Sequence, residues 1–366
     1  MTARPRIYLD HAATTPILPA AKAAMVEAME RWANPSSPHA EGRAARAALE
    51  DARERIKTAL GWTGEMIFTS GATEAISLGL SRARCDRRLM SPVEHDAVVR
   101  AAPDAAMLPL DHNGELDLHA LKKALRGRGR PLLALQHVNS ETGQVQRLDD
   151  AIAVVRGAGG LVFSDAAQSA GRMPLPDADL IAVSAHKLGG PPGIGALLVK
   201  DLAILEATGG QERGYRGGTE NVLGAVGFAA ALEHPRSGAS ESALFDATCR
   251  LVETMSDLGG NQVFGGRGVE QSQSESGHIM ALSMPGLSAA TQLVRFDLAG
   301  FAVSAGSACS SGSMKPSRVL AAFGVDPDEA ARTIRISFGW DTTPEDIAAF
   351  GQAWLRIAED GRKRAA

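Results

Sequence analysis

Apolar and polar positions follow two alternating patterns from about residue 17 to residue 235 of this chain of 366 residues. Short, continuously apolar segments predict strands at 66–70, 132–138, 161–166, 180–186 and 194–200. Helical spacing predicts one helix from Pro19 and another whose apolar stripe is formed by Leu49, Ala52, Ile56 and Leu60. Continuous rather than alternating apolar residues are typical of parallel strands that are buried on both faces. The pattern therefore predicts an α/β domain with a mostly parallel central sheet.

The pattern changes after about residue 240. Helices are predicted at 241–258 and 288–299, strands at 278–284 and 333–339, and a last helix after these. Thr343 can cap the last helix, because Pro344 suits its first turn and Asp346 stands three residues after the cap. We expect a large α/β domain over 11–240 and a smaller α+β domain made of 1–10 and 241–366.

Composition disfavours several classes of protein. Hydrophobic residues make up 45% and charged residues 22%, close to the globular average, and the net charge of −4 is unlike that of a general nucleic-acid binder. No apolar run has the length of a membrane span, and the first ten residues lack the pattern of a signal peptide. Cys85, Cys249 and Cys309 are odd in number and far apart. We therefore expect a cytoplasmic protein without a disulfide framework or a metal site.

Polar residues follow the ends of several predicted strands, where open α/β sheets bind their ligands. The turn 70–73 lies between a strand and a helix, and its glycine and helical N–H groups suit an anion. Asp165 and Gln168 follow a second strand, and His186 and Lys187 follow a third. Taken alone, such a turn is usually only a helix cap and such a lysine a solvated residue. Together they suggest a Schiff-base lysine, an acidic partner for a pyridinium nitrogen and a phosphate cup.

A series of motifs along the chain carries a family resemblance. In order they are YLDHAATTP (8–16), NPSSPH (34–39), TSGATE (69–74), EH (94–95), HVNSETG (137–143), DAAQSAG (165–171), SAHKLGGPPGIGAL (184–197), RGGTEN (216–221) and SAGSACSSGS (304–313). Their order and spacing resemble those of the cysteine desulfurases of the class V aminotransferase superfamily, in the group that serves nitrogen fixation and iron–sulfur assembly. The resemblance runs from about Tyr8 to Gly339 and implies the fold type I of enzymes that use pyridoxal 5′-phosphate.

The resemblance implies pyridoxal 5′-phosphate as the cofactor, bound to Lys187. Asp165 would pair with the pyridine nitrogen, Gln168 would hydrogen-bond the phenolic oxygen, and His95 would stack on the ring. Residues implied to hold the phosphate are Ala72, Thr73, Ser184, His186 and, on the phosphate of a neighbouring subunit, Thr219. The last of these contacts implies a homodimer.

The resemblance also implies L-cysteine as the substrate. Arg335 would pair with its carboxylate, a bidentate task that suits a guanidinium group. Lys187 would remove the Cα proton and His95 would handle the thiol proton. The sequence around Cys309 is typical of an exposed loop, and this cysteine would take the sulfur as a persulfide for an iron–sulfur scaffold or a sulfur carrier. Asn139 is our candidate for contacts with the cofactor and the substrate.

The chain departs from the family pattern in three places. Ser140 replaces the usual second asparagine, so the contact assigned to Asn139 stays open between the two positions. Ala75, Ile76 and Ser77 stand where the family often has Ser-Asn-Asn after GATE, which leaves open whether a contact in the cup is lost. The chain also ends soon after Gly339, whereas general iron–sulfur assembly members have a longer tail that docks the scaffold. The sulfur acceptor therefore stays open.

Three other functions stay open at this point. A selenocysteine lyase or another β-eliminating enzyme would use the same cofactor, and the sequence does not separate sulfur from selenium. A non-catalytic subunit of a sulfur-transfer complex would be expected to lack Lys187 or Cys309, and both are present. A phosphate-metabolite binding protein would have the cup but leaves both residues unexplained.

Overall fold

The computed structural model describes residues 6–30, 32–234, 241–264, 276–306 and 317–365. These residues form two compact units. The larger unit contains the described residues of 14–138 and 146–235, and the smaller unit those of 1–13, 139–145 and 236–366. The domain limits expected from the sequence stay a prediction. The units differ from them because the short segment 139–145 groups with the smaller unit.

Strands and helices alternate along most of the chain. The strands are β1 (Ile7–Tyr8), β2 (Glu65–Thr69), β3 (Arg87–Met90), β4 (Ala106–Met107), β5 (Pro131–Ala134), β6 (Leu161–Asp165), β7 (Leu180–Ser184), β8 (Gly195–Val199), β9 (Asn261–Phe264), β10 (Ile279–Ser283), β11 (Phe301–Ala302) and β12 (Thr333–Ser337). The helices are α1 (Pro19–Ala28), α2 (Ala40–Ala59), α3 (Ala72–Arg82), α4 (Asp96–Ala101), α5 (Leu118–Ala124), α6 (Leu148–Gly157), α7 (Val222–Glu233), α8 (Glu241–Ser256), α9 (Ala289–Leu298), α10 (Arg318–Ala322), α11 (Pro327–Ala330) and α12 (Pro344–Ala365). Single 3₁₀ turns cover Ala185–Lys187, Leu202–Ile204 and Glu212–Gly214.

A seven-stranded sheet forms the centre of the larger unit, in the order β2-β8-β7-β6-β5-β3-β4. The strands from β7 to β4 are parallel to one another, whereas β8 runs antiparallel to both β2 and β7. The expected mostly parallel sheet is confirmed. The apolar segment 194–200 is nevertheless an antiparallel strand, because burial on both faces gives the same continuous pattern in either direction. Strands β2, β3, β5, β6 and β7 point the same way, so their carboxyl ends lie at one edge of the sheet.

Helices cover this sheet with small and aliphatic side chains. Helix α3 packs on β7 and β8 through a buried side that includes Ala75, Ile76 and Leu80. Leu49, Ala52 and Ile56 on α2 are fully buried and Leu60, directly after the end of α2, is 9% exposed, so the apolar stripe expected from the sequence is confirmed. Helices α1 and α2 both pack on α7.

The smaller unit has an antiparallel sheet in the order β12-β10-β9 and a separate parallel pair of β1 with β11. Its core includes Phe296, which stacks on Phe350 with 4.8 Å between the ring centroids. The predicted cap of α12 is confirmed. Thr343 Oγ1 accepts a hydrogen bond from Asp346 N–H at 3.2 Å, and Asp346 Oδ2 accepts one from Thr343 N–H at 3.0 Å. In the part of the chain that the structure describes, no helix is both long and apolar enough to cross a membrane.

Candidate active site

Two glycines shape the turn between β2 and α3. Gly71 has a φ of +148° and a ψ of −179°, a conformation that is essentially restricted to glycine. Gly195 pairs with both Thr69 and Ser184 in the sheet, and a Cβ at this position would lie 2.7 Å from Gly71 Cα. A glycine at 195 is therefore needed for the turn to come this close to β8. Ser184 Oγ lies 3.6 Å from the place that a Cβ on Gly71 would occupy.

The first turn of α3 begins directly after Gly71. Ala72 and Thr73 are its first residues, and no side chain caps the helix at Gly71. A helix of this length has a partial positive charge at its N-terminus and N–H groups that point outward from it. The structure thus brings Ala72, Thr73 and Ser184 together in an arrangement that suits a phosphate group.

His186 and Lys187 form the 3₁₀ turn that follows β7, and two threonines hold this turn. Thr15 N–H donates to the His186 carbonyl at 2.8 Å, and Thr15 Oγ1 donates to the Lys187 carbonyl at 3.0 Å. Thr14 Oγ1 lies 3.1 Å from His186 Nδ1. Burial, reinforced by the charge of Lys187, lowers the pKa of His186 to about 4, so its ring is neutral at pH 7. Sequence reasoning assigned no role to these threonines, although both lie in the first motif.

Asp165 is the last residue of β6, the strand beside β7, and it is buried. Its Oδ1 accepts a hydrogen bond from Ala167 N–H at 3.0 Å. Burial raises the pKa of this carboxyl group, while the charge of His95, the Ala167 hydrogen bond and the charge of Lys187 act in the opposite direction. His95 and Lys187 are therefore both close enough to influence Asp165. Gln168 is also buried, three residues further along.

His95 caps helix α4, which comes after β3. Its Nδ1 accepts a hydrogen bond from Ala97 N–H at 3.1 Å. In the neutral ring the hydrogen therefore lies on Nε2. The His95 side chain is exposed, so this Nε2–H group is available to a ligand.

Arg335 lies on β12 in the smaller unit, and its side chain is buried. Its Nη1 donates to the Ser140 carbonyl at 2.8 Å, and its Nη2 donates to Asp10 Oδ1 at 2.8 Å. Its Nε is buried and has no hydrogen-bond partner among the described residues. Sequence reasoning did not identify Asp10. The contact at position 140 uses the backbone carbonyl, so it does not depend on the serine side chain.

Asn139 closes the turn that carries Ser140. Its Oδ1 accepts hydrogen bonds from Glu141 N–H at 2.9 Å, from Thr142 N–H at 2.9 Å and from Thr142 Oγ1 at 3.1 Å. The side-chain oxygen of Asn139 therefore fixes its own loop. Its predicted contacts with a cofactor and a substrate stay predictions.

Comparison with known proteins shows the family to which the chain belongs. Residues 7–350 match the family model of the class-V aminotransferases. The chain belongs to this family. A protein of Mycobacterium tuberculosis named IscS-like cysteine desulfurase is 35% identical over 93% of this chain and 93% of its own length. A protein of Dictyoglomus turgidum named cysteine desulfurase IscS is 34% identical over 93% of this chain and 91% of its own length.

Solved structures of similar proteins share the fold of this chain. A NifS-like protein from Rickettsia africae has a TM-score of 0.84 and 29% identity, with 97% of this chain and 99% of that chain covered. SspA in complex with cysteine has a TM-score of 0.75 and 28% identity, with 91% and 98% covered. These similarities confirm the expected fold type.

The family resemblance implies a role for Thr219 at the phosphate of a neighbouring subunit. Thr219 is exposed and follows Gly218, which has a φ of +88°. Its role toward a neighbouring subunit stays a prediction. Cys309 lies outside the described residues, so its role also stays a prediction. The departures at Ala75 and Ile76 have a structural explanation, because both side chains pack in the core of the larger unit.

Proposed function

We propose that the chain is a cysteine desulfurase that converts L-cysteine to L-alanine with pyridoxal 5′-phosphate and transfers the sulfur to Cys309. The observation that supports this most strongly is the grouping of Asp165, His95 and Lys187 in a member of the class-V aminotransferases. Two curated relatives that are 34% and 35% identical to this chain are named cysteine desulfurases.

The residues present fit the proposed cofactor. Burial raises the pKa of the Asp165 carboxyl group despite the charges of His95 and Lys187, and a protonated ring nitrogen would stabilise its ionised form further. The glycine turn beside Ser184 suits the phosphate. Lys187 provides the amine that such a cofactor requires. When bound, pyridoxal phosphate withdraws electrons from the Cα of an attached amino acid and thereby acidifies its proton.

Each proposed step is assigned to a residue of this chain. Arg335 binds the substrate carboxylate, and Lys187 Nζ takes the proton from Cα and returns it. His95 Nε2 exchanges a proton with the substrate thiol. The Cys309 thiolate attacks the substrate sulfur, forming an S–S bond while the Cβ–S bond breaks. The electron pair of that bond stays on carbon, which after protonation is the methyl group of alanine.

The absorbance spectrum of the purified protein tests this proposal. We expect a band near the visible edge from the cofactor on Lys187, a shift of that band when L-cysteine is added, and formation of alanine. A bound chromophore without alanine would retain the cofactor but exclude L-cysteine as the substrate. No chromophore, even after addition of pyridoxal phosphate, would favour a non-catalytic subunit of a sulfur-transfer complex.

The variant Cys309→Ser tests the sulfur-transfer step. It should retain the cofactor absorbance and lose persulfide formation, because serine cannot hold the sulfur atom. Release of sulfide at the full rate by this variant would exclude the role given to Cys309. Parallel assays with L-cysteine and L-selenocysteine separate the desulfurase from a selenocysteine lyase.

We propose a homodimer in the cytoplasm in which Thr219 reaches the phosphate bound to the neighbouring subunit. The persulfide acceptor would be an iron–sulfur scaffold or a sulfur-carrier protein. Sedimentation of the purified protein checks the dimer, and a protein that is monomeric at assay concentration would contradict it.

A further inference from the structure

The first turn of α3 carries a carboxylate as well as the N–H groups that suit an anion. Glu74 Oε2 accepts a hydrogen bond from Ser70 N–H at 2.5 Å, so this side chain folds back over the turn that precedes the helix. The contact removes one donor from the turn and adds a negative charge beside it. A phosphate dianion at the same turn would be repelled by that charge. A positive group is therefore needed to offset Glu74.

Arg216 is that positive group. Its Nε donates to Glu74 Oε1 at 2.9 Å, and the two side chains are 20% and 29% exposed. Burial acts to raise the pKa of Glu74, but hydrogen bonds from Ser70 and Arg216 outweigh it and hold that pKa below its ordinary value. Glu74 is consequently charged at neutral pH and pairs with a charged arginine.

The segment that carries Arg216 is fixed at both ends to helix α2. Before it, Glu212 makes a buried ion pair with Arg53, with 2.8 Å between Glu212 Oε2 and Arg53 Nη1. After it, buried Glu220 lies 3.3 Å from Arg46 Nη1. Because Arg46 and Arg53 stand two helical turns apart on one side of α2, the segment is held along the helix. Little conformational freedom remains for Arg216 to lose when it pairs with Glu74.

We propose that Arg216 is a positioning residue for the phosphate cup, and that it neutralises and orients Glu74 so that the turn at 70–73 accepts a phosphate dianion. This inference rests on the proposed function, since the anion is the phosphate of pyridoxal 5′-phosphate. Arg216 acts through Glu74 and does not touch the phosphate itself.

A double-mutant cycle on the full-length protein, freed of cofactor, tests this inference. The probe is pyridoxamine 5′-phosphate, which has no aldehyde and binds without a bond to Lys187. Calorimetric titration gives its Kd. We expect Arg216→Gln to raise the Kd about tenfold, because the charge of Glu74 is no longer offset. The double variant Arg216→Gln/Glu74→Gln should return to within about threefold of the parent protein, because neither charge is present.

The double variant also excludes the simplest alternative. If Arg216 bonded directly to the phosphate, the double variant would still bind clearly more weakly than the parent protein, because that bond would be lost, and the inference would be overturned. An unchanged Kd in Arg216→Gln would overturn it as well. Arg213→Gln is the matched control, because Arg213 lies in the same segment but pairs with Glu65 at the surface. This control should bind the probe as the parent does.

Two further measurements separate the possible causes of a defect. Arg216→Lys keeps the charge, so it should recover most of the lost affinity; a variant as weak as Arg216→Gln would contradict charge neutralisation. Thermal unfolding identifies a variant that fails to fold. If Arg216→Gln fails to fold, the Kd values of Arg216→Lys and Glu74→Gln are compared with that of the parent instead. If the parent protein binds no pyridoxamine 5′-phosphate at all, the proposed cofactor is wrong. If the parent binds it and Arg216→Gln binds equally well, only this inference fails.

Discussion

Arg53 in the larger unit and Arg335 in the smaller unit are both deeply buried, yet they use their N–H groups differently. Arg53 donates to Glu50, to Glu212 and to the Met66 carbonyl, and every one of its nitrogens has a partner. Arg335 donates to Asp10 and to the Ser140 carbonyl, and its Nε has no partner among the described residues.

The difference teaches how to distinguish a structural arginine from one that binds a ligand. A buried donor without a partner is unfavourable. All donors of Arg53 have partners within the protein, so none is left for a ligand and we expect Arg53 to stabilise the fold. Its guanidinium also lies over the Phe68 ring, 4.6 Å from the centroid. The remaining donors of Arg335 suit a carboxylate, which takes two parallel hydrogen bonds from one guanidinium. Substitutions near Arg53 should therefore affect stability, and those near Arg335 should affect substrate affinity.

The largest expected effect is on stability, in the variant Glu212→Gln. The side chains of Arg53 and Glu212 are only 2% and 1% exposed, so the variant leaves a buried guanidinium without its main counter-charge. We expect the free energy of unfolding to fall by about 3–5 kcal/mol. Urea denaturation followed by fluorescence measures this.

Asp10→Asn is the matched control for that variant, because it makes the same change from acid to amide beside the other arginine. Asp10 is 21% exposed, so its loss should change the free energy of unfolding by less than about 1 kcal/mol. Equal destabilisation by the two variants would break the distinction between the two arginines.

The next effect in size is on substrate affinity, in the variant Arg335→Lys. Lysine keeps the charge but lacks the planar fork of donors, so it cannot hold both Asp10 and a substrate carboxylate in the same geometry. We expect kcat/KM for L-cysteine to fall about 50-fold, mainly through KM, with unchanged cofactor absorbance. Steady-state alanine formation measures it. An unaltered KM would mean that the substrate carboxylate binds elsewhere.

The part of the site around Lys187 could be predicted from sequence because its signals are local. Asp165 and Lys187 each end or follow an apolar strand, and parallel strands bring such ends to one edge of a sheet. The glycine at 71 predicted a turn with a backbone conformation that other residues do not adopt. The resemblance to a known family then supplied the expected roles.

The ion pairs around the two arginines could not be predicted in the same way. Asp10 and Arg335 are 325 positions apart in the sequence, and Arg53 and Glu212 are 159 apart. No periodic pattern links residues at such distances, since only the packed fold brings them together. The direction of β8 was missed for a related reason, because hydrophobic patterning reports burial and not strand direction.

A smaller effect on affinity is expected from Asp10→Asn. The amide oxygen of asparagine can still accept the hydrogen bond from Arg335 Nη2, so the guanidinium stays in place. Its positive charge is no longer offset, and the attraction for a substrate carboxylate increases. We expect KM for L-cysteine to fall about threefold. A rise in KM would show that Asp10 serves only to position Arg335.

The smallest effect is expected from Glu50→Gln, on the other carboxylate that Arg53 contacts. Glu50 Oε2 lies 2.9 Å from Arg53 Nε, a distance close to that of the Glu212 contacts, but its side chain is 43% exposed. Water can solvate the donors of Arg53 that lose the charge of Glu50. We therefore expect the free energy of unfolding to fall by only about 0.5 kcal/mol in the same urea titration. The two carboxylates bind one guanidinium at similar distances, but Glu212 is buried and its Oε2 also accepts a hydrogen bond from Phe68 N–H at 2.8 Å. A loss as large as that of Glu212→Gln would mean that burial does not determine what each carboxylate contributes.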